Sequence, residues 1–197
     1  PGWDRISGYY YPDSTIAGFS HTHLSGTGAG DLYDISYMPV TLPYREAEAP
    51  LGIHSKFRHS DEEASAGYYR VLLKDYNINV ELTATERCGI QRYTFPKAQS
   101  AVFLNLKKAM NWDFTQDSHI EVVDSCTIQG YRFSDGWARG QRVFFRTRFS
   151  KPFRSSEIDT TAIIQDGKTI GTAYVARFNF DTTDGEEIVL CLSLIHI

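Results

Sequence analysis

The chain has 197 residues, and 20 Lys plus Arg stand against 24 Asp plus Glu, which gives a net charge of -4. This length fits one domain, and a mildly acidic, mixed charge lacks the basic surface that binds nucleic acid or anionic membranes. No apolar run approaches the ~18 residues of a membrane span, so we expect no membrane insertion, while 42 % hydrophobic residues favour a folded core.

Residues 1–66 form the first segment, and they are rich in Gly, Ser, Thr, Tyr and His with little sustained alternation. A stretch this long without regular structure in a compact domain usually carries function or lies against another domain. We therefore predict that residues 1–66 are a loop-rich region that forms a cleft or an interface.

Residues 67–191 follow with one strand signal after another. Ile78, Val80, Leu82 and Ala84 alternate with polar residues, the period of a half-buried strand, and the Asp166–Gly167 pair marks a hairpin turn. The pattern predicts an all-β protein with an antiparallel β-sandwich. The other predicted strands cover residues 68–73, 89–95, 101–106, 119–123, 125–133, 141–149 and 169–180.

The two ends and the cysteines complete the chain. Residues 192–197 match the translation of a transposon end used in sequencing libraries, so we expect the natural domain to cover residues 1–191 and the chain to be a piece. The alternative is a genuine terminal strand from residue 188. Cys88, Cys126 and Cys191 lack metal-type spacing and are expected to be ordinary buried thiols, not a disulfide framework.

Two histidines lie within the densest polar and aromatic stretch of the chain. His21 and His23 are two residues apart, so both rings point to one side of an extended segment. Such a pair could bind a metal with a third ligand, contact sugar hydroxyls or an interface, or hold a tight loop together. The sequence alone leaves these three interpretations open.

Aromatic residues near the start offer flat faces with polar tips. Trp3, beside Asp4, and the run of tyrosines at 9–11 could pack against sugar rings or could fill the core. The acidic residues Asp31, Asp34 and 61–63 are expected to be solvated, because nothing in their setting separates two pKa values for glycoside hydrolysis. The residues therefore predict a sugar-compatible loop region without a self-contained active site.

A longer motif makes the interpretation specific. The stretch from Ser7 to Gly28, with Asp31–Leu32 and Met38–Pro39, resembles the N-terminal domain of glycoside hydrolase family 92, the calcium-dependent exo-α-mannosidases. Further similar segments extend the resemblance over about residues 2 to 190. They are residues 57–69, 81–86, 92–96, 136–137 and 149–153.

The resemblance implies a galactose-mutarotase-like β-sandwich that packs on an (α/α)6 barrel, with the active site in the cleft between them. Family members remove terminal α-linked mannose from N-glycans or mannans with inversion, using a carboxylic acid, a carboxylate base and calcium. The catalytic carboxylates and the calcium ligands belong to the barrel. We therefore assign no catalytic or metal residue to this chain and expect it to be inactive alone.

The resemblance also implies substrate-binding positions on the sandwich. Trp3, with Asp4 beside it, is expected to contact the sugar next to the scissile mannose, and His21 and His23 are expected to order the cleft at the domain interface. The implied partners are a mannose-containing glycan and the barrel of the same enzyme, in the periplasm, at the cell surface or outside the cell. The alternatives are a stand-alone mannose-type carbohydrate-binding module and a purely structural interaction domain.

Overall fold

The computed structural model describes residues 9–22, 33–44, 52–107, 113–136 and 138–196, which form β-strands joined by turns and one 3-10 turn at His59–Asp61. Nowhere in these ranges does a helix reach the length and apolar character needed to cross a bilayer. The strands are β1 Thr15–Ile16, β2 Ser36–Thr41, β3 Ser55–Lys56, β4 Glu62–Ser65, β5 Tyr68–Leu73, β6 Ile78–Ala84, β7 Cys88–Phe95, β8 Ala98–Asn105, β9 Phe114–Asp124, β10 Thr127–Asp135, β11 Gln141–Phe149, β12 Ser155–Gln165, β13 Lys168–Thr182 and β14 Glu186–His196.

Two antiparallel sheets carry the fold. The larger has eight strands in the order β4-β5-β6-β7-β14-β11-β10-β9, and the smaller has four in the order β12-β13-β8-β2. A two-stranded pair, β1 and β3, completes the described strands. This arrangement confirms the predicted all-β, antiparallel β-sandwich.

The sheets meet over a continuous apolar core and are joined at one side by polar contacts between β9 and β13. The Ser118 hydroxyl donates to the Thr172 carbonyl at 3.1 Å, and the Tyr174 amide donates to the Ser118 hydroxyl at 2.9 Å. The Thr172 amide donates to Asp117 Oδ1 at 2.9 Å. Because these bonds satisfy backbone groups where the two sheets cross, they fix how the sheets are placed on each other.

Several of the strand predictions coincide with observed strands, whereas some observed strands were not predicted. The predicted ranges 68–73, 78–84 and 141–149 coincide with β5, β6 and β11. No strand was predicted over β2, which is buried at nearly every position and therefore shows no alternation. The β12 strand was also missed, because it is exposed along most of its length and lacks an apolar stripe.

The segments on either side of the predicted sugar-binding residues lie at one end of the sandwich. Gly89 lies opposite Leu192, Leu192 opposite Thr147, and Thr147 opposite Ile128, which makes a row across the inner face of the large sheet. The Tyr37 hydroxyl meets the Thr147 hydroxyl at 2.6 Å in this row. We name this region the loop end, and we define it by residues 19–22, 33–34, Gly89, Asp113 and Arg132.

The last strand continues past the predicted domain boundary at residue 191. Residues 192–196 pair with residues 143–147 of β11, and the Leu192 side chain is fully buried. The assignment of residues 192–197 to a sequencing adapter stays a prediction, as does the boundary between residues 66 and 67.

Candidate site at the loop end of the sandwich

Of the four predicted substrate-binding residues, the structure describes one. Trp3, Asp4 and His23 lie outside the described residues, whereas His21 lies half-buried at the loop end. Its ring rests directly on Gly89 of β7, so that a Cβ atom at residue 89 would overlap ring atoms Cγ and Cδ2. The missing side chain at Gly89 therefore makes the space that His21 occupies.

Backbone and side-chain hydrogen bonds connect the His21 segment to the residues just before β2. The Tyr33 amide donates to the Thr22 carbonyl at 2.7 Å, and the Asp34 amide donates to Thr22 Oγ1 at 2.8 Å. The Thr22 hydroxyl also meets the Ser20 hydroxyl at 3.0 Å. These hydrogen bonds hold residues 22 and 33 together. The segment 23–32, which includes His23, connects these two residues along the chain.

Tyr33 gives the same junction an unusual backbone and a buried hydroxyl. Its φ of 74° lies in the left-handed region, and burial raises the pKa of its phenol to about 12, although a hydrogen bond with Ser36 lowers it. Gly18 lies against this hydroxyl with a φ of 145°, where a side chain would overlap Tyr33 and Ser36. Close backbone packing at residue 18 therefore requires glycine.

A buried ionic cluster anchors the loop end from below. Arg132 Nη1 donates to Asp34 Oδ1 at 2.6 Å, and Arg132 Nη2 donates to Asp113 Oδ1 at 2.8 Å. Arg132 Nε donates to the Thr115 hydroxyl at 2.9 Å and to the Leu106 carbonyl at 3.2 Å. The side chains of Arg132, Asp34 and Asp113 have no exposed surface, so these groups hold structure and do not face a substrate.

This cluster corrects the prediction that Asp34 is a solvated loop carboxylate. Asp34 is fully buried because the guanidinium of a residue 98 positions away compensates its charge. Asp31 lies outside the described residues.

The described residues do not fit a calcium site. Asp34 Oδ2 is buried and accepts no hydrogen bond among them, but Arg132 already neutralises this carboxylate. No group of three or more His, Cys, Asp or Glu side chains in these ranges could hold a metal ion. The calcium that the family resemblance implies, outside this chain, stays a prediction.

A second group of side chains, which we name the tyrosine patch, comprises Tyr9, Tyr11, His59, Glu62 and Tyr69. Glu62 accepts hydrogen bonds from the Tyr69 hydroxyl at 2.5 Å and the Tyr9 hydroxyl at 3.3 Å, and His59 Nδ1 lies 2.5 Å from the same carboxylate. Burial and the bond to Glu62 raise the pKa of Tyr69, and the same causes raise that of Tyr9. Glu62 is thus an organised, 10 % exposed group, which corrects its interpretation as a solvated carboxylate.

The tyrosine patch lies close to the His21 contact. Tyr69 is opposite Leu82, Leu82 is opposite Gln91, and Gln91 follows Gly89 by two residues on the same face of β7. Two strand spacings of ~4.8 Å and a two-residue step of ~3.4 Å per residue put the backbones of Tyr69 and Gly89 about 12 Å apart.

Comparison with known proteins places this sandwich among the glycoside hydrolases. The model of the glycosyl hydrolase family 92 N-terminal domain matches residues 1–193. The chain therefore belongs to family 92, which confirms the resemblance seen in its sequence.

Solved structures agree with this assignment. The family 92 α-mannosidase BT3965 from Bacteroides thetaiotaomicron, in complex with mannoimidazole, is 30 % identical with a TM-score of 0.86, over 98 % of this chain and 27 % of that chain. The family 92 glycosyl hydrolase ccman5 is 24 % identical with a TM-score of 0.72, over 96 % and 27 % of the two chains. The inverting mannosidase BT2199 from Bacteroides thetaiotaomicron VPI-5482 is 22 % identical with a TM-score of 0.72, over 94 % and 25 %.

The chain therefore spans about a quarter of the length of these three family 92 proteins, and the last two show a shared fold alone. Comparison with curated protein sequences gave no significant match.

Proposed function

We propose that this chain is the N-terminal, cleft-lining domain of an inverting, exo-acting α-mannosidase that removes terminal α-linked mannose from N-glycans or mannans. The observation that carries the proposal is the similarity to the mannosidase BT3965 over 98 % of this chain but only 27 % of that one. We assign the catalytic acid and base, and the calcium, to the remaining part of such an enzyme.

The chemistry of the described residues supports this division of roles. Inverting hydrolysis needs two carboxyl groups about 6.5–9.5 Å apart that face one glycosidic bond. The two carboxylates at the loop end, Asp34 and Asp113, are buried on Arg132 and already engaged. We therefore expect the chain alone to have no mannosidase activity.

The loop end supplies positioning in this proposal. His21 is held on Gly89, and residues 22 and 33 are joined at the base of the segment that contains His23. We propose that His21 and His23 order the cleft and that Trp3, with Asp4, contacts the sugar next to the scissile mannose. The mannose-containing glycan would meet the enzyme in the periplasm, at the cell surface or outside the cell.

A chimera tests the proposal directly. This chain replaces the matching N-terminal part of BT3965, and release of a chromogenic leaving group from an α-mannoside is measured for the chimera and for the chain alone. We expect an active chimera and an inactive chain. In the chimera, Trp3→Ala should lower kcat/KM at least about tenfold, which corresponds to ~1.4 kcal/mol of transition-state stabilisation.

Ile164→Ala is the matched control, because Ile164 is exposed on β12 in the outer strand of the small sheet. Its kcat/KM should equal that of the parent chimera. A folded chimera without activity would contradict the proposal, and so would hydrolysis by the chain alone.

The second candidate, a stand-alone mannose-type carbohydrate-binding module, is favoured by the exposure of Tyr9 and Tyr11, at 45 % and 66 %. It predicts heat on titration of the chain with mannobiose in the absence of calcium, together with an inactive chimera. An active chimera would leave the mannosidase domain as the function.

A further inference from the structure

We infer that the tyrosine patch is a binding site for a neutral hexopyranose. The inference deepens the second candidate function above and does not rest on the mannosidase proposal, because it concerns described residues that no catalytic role requires. It begins from one exposed ring, Tyr11, and from the side chains that hold this ring in place.

Tyr11 presents a flat apolar face to solvent. Its ring stacks on the His59 ring with centroids 4.0 Å apart and planes within 7°, and the residue is nevertheless 66 % exposed. One face of Tyr11 is thus covered by His59, and the other is open. The ring lies in a turn that the Asp13 amide closes on the Tyr10 carbonyl at 2.9 Å.

The platform under Tyr11 is rigid for its position on the surface. The edge of Phe57 meets the His59 ring with centroids 5.4 Å apart at 86°, and Phe57 itself belongs to the core. Glu62 holds His59 Nδ1 from the side at 2.5 Å, and the Tyr69 hydroxyl fixes the other oxygen of that carboxylate. A prearranged surface loses little conformational entropy when a ligand binds, which favours even a small ligand.

Polar groups border the exposed ring in the way that a sugar requires. The Tyr9 hydroxyl reaches the carboxylate of Glu62 at 3.3 Å, and Tyr9 is itself 45 % exposed. A pyranose presents C–H groups on its face and hydroxyls at its edge, which match an exposed aromatic ring beside the phenol of Tyr9. The charge of Glu62 disfavours an anionic ligand, so the site suits a neutral sugar such as a mannoside.

Native gel electrophoresis of the full chain in gels that contain soluble mannan tests the site, with isothermal titration of methyl α-mannoside as the second measurement. We expect retardation by mannan and a Kd on the order of 1 mM for the monosaccharide. Tyr11→Ala should weaken binding at least about tenfold, whereas Tyr11→Phe, which keeps the ring face, should stay within about threefold of wild type.

A matched control makes the result decisive. Ile164→Ala removes a side chain of nearly equal exposure, 67 %, at a distant hairpin and should bind like wild type. Absence of binding by the folded wild-type chain, or equal binding by Tyr11→Ala, overturns the inference. The inference is also overturned if Tyr11→Ala abolishes the activity of the chimera while the chain alone binds no sugar. The patch would then contact the rest of the enzyme instead of a sugar. The chimera's own activity is a separate readout, so the inference and the proposed function can fail independently.

Discussion

Arg132 is the residue on which the buried end of the sandwich depends most. Its guanidinium donates to Asp34, Asp113 and the Thr115 hydroxyl, and all of these groups are screened from water. A buried ion cluster adds little net stability compared with an apolar substitute, but loss of one partner leaves uncompensated charge. In this cluster, substitution of Arg132 would leave the buried carboxylates of Asp34 and Asp113 without a compensating positive charge.

Arg132→Met should therefore lower the free energy of unfolding by about 3–5 kcal/mol, measured by urea denaturation at neutral pH. Arg154→Met is the control, because the Arg154–Asp181 pair is 3.6 Å apart with both side chains at least 60 % exposed. An exposed pair of this kind contributes less than about 1 kcal/mol. Equal effects of the two variants would show that the buried cluster is not an anchor.

Glu186 gives the fold an acid-sensitive contact. Lys151 Nζ lies 2.5 Å from its carboxylate, and this bond, followed by the Thr183 amide, lowers the pKa of Glu186 below its ordinary value of 4.5. A carboxyl group with a lowered folded-state pKa stabilises the fold above its unfolded-state pKa, and this contribution is lost as the pH falls through the folded-state value. The stabilising contribution is thus present at neutral pH and disappears in acid.

We therefore expect Glu186→Gln to lower the urea midpoint at pH 7 and to have a smaller effect at pH 2, because the stabilising contribution of the carboxylate is lost as the pH falls. The neighbouring Glu187→Gln serves as the control, since Glu187 is half-exposed and lies 3.6 Å from Arg92. Its effect at pH 7 should be smaller. A Glu186→Gln effect of the same size at both pH values would contradict the assignment.

At the residue scale, the sequence misjudged carboxylates whose partners are far away along the chain. Asp34 was expected to be solvated, yet its partner Arg132 is 98 residues away, and Glu62 binds Tyr9, which is 53 residues away. A signal for Arg132 was present, because it shares an inward face of β10 with the fully buried Ile128. Because alternate residues of a strand face the same side, the position of Arg132 predicts that it is buried, but it does not identify the acids that neutralise its charge.

At the element scale, three strands show how the pattern of burial along a strand affects its prediction from the sequence. The β6 strand has one buried face and was found at its observed bounds, whereas β2 and β12 were missed because burial or exposure is nearly uniform along them. The contact of the His21 segment with β7 could not be predicted either. It depends on Gly89, whose lack of a side chain matters only once the two segments are placed together.

That contact yields a prediction about how the loop segment docks on β7. Gly89→Ala puts a Cβ atom where the His21 ring lies and should lower the free energy of unfolding by ~1–3 kcal/mol, as overpacking of a filled site does. His21→Ala should cost less, and the double variant should recover most of the Gly89→Ala loss. Urea denaturation of all four proteins gives the coupling energy, and strictly additive effects would mean that the ring and the strand do not touch.

At the scale of the whole molecule, the last strand joins two parts of the large sheet. The β14 strand lies between β7 and β11, so it connects the meander β4–β7 to the meander β9–β11 although it comes last in the chain. The resemblance predicted the sandwich as a whole, since its motifs run along nearly the entire chain. The proposed cleft was less accessible to prediction, because the chain spans about a quarter of the length of the mannosidases it matches.

The closing strand leads to a prediction that bears on residues 192–197. Leu192 is fully buried between Gly89 and Thr147, whereas Ile195 on the same strand is 60 % exposed. Leu192→Ala should lower the free energy of unfolding by about 2–5 kcal/mol, because it removes buried methyl groups at the junction of the two meanders. Ile195→Ala should change it by less than about 0.5 kcal/mol, as exposed substitutions do. A Leu192→Ala protein as stable as the Ile195→Ala protein would show that residue 192 does not complete the sheet, which favours the expectation that the final six residues are foreign to the domain.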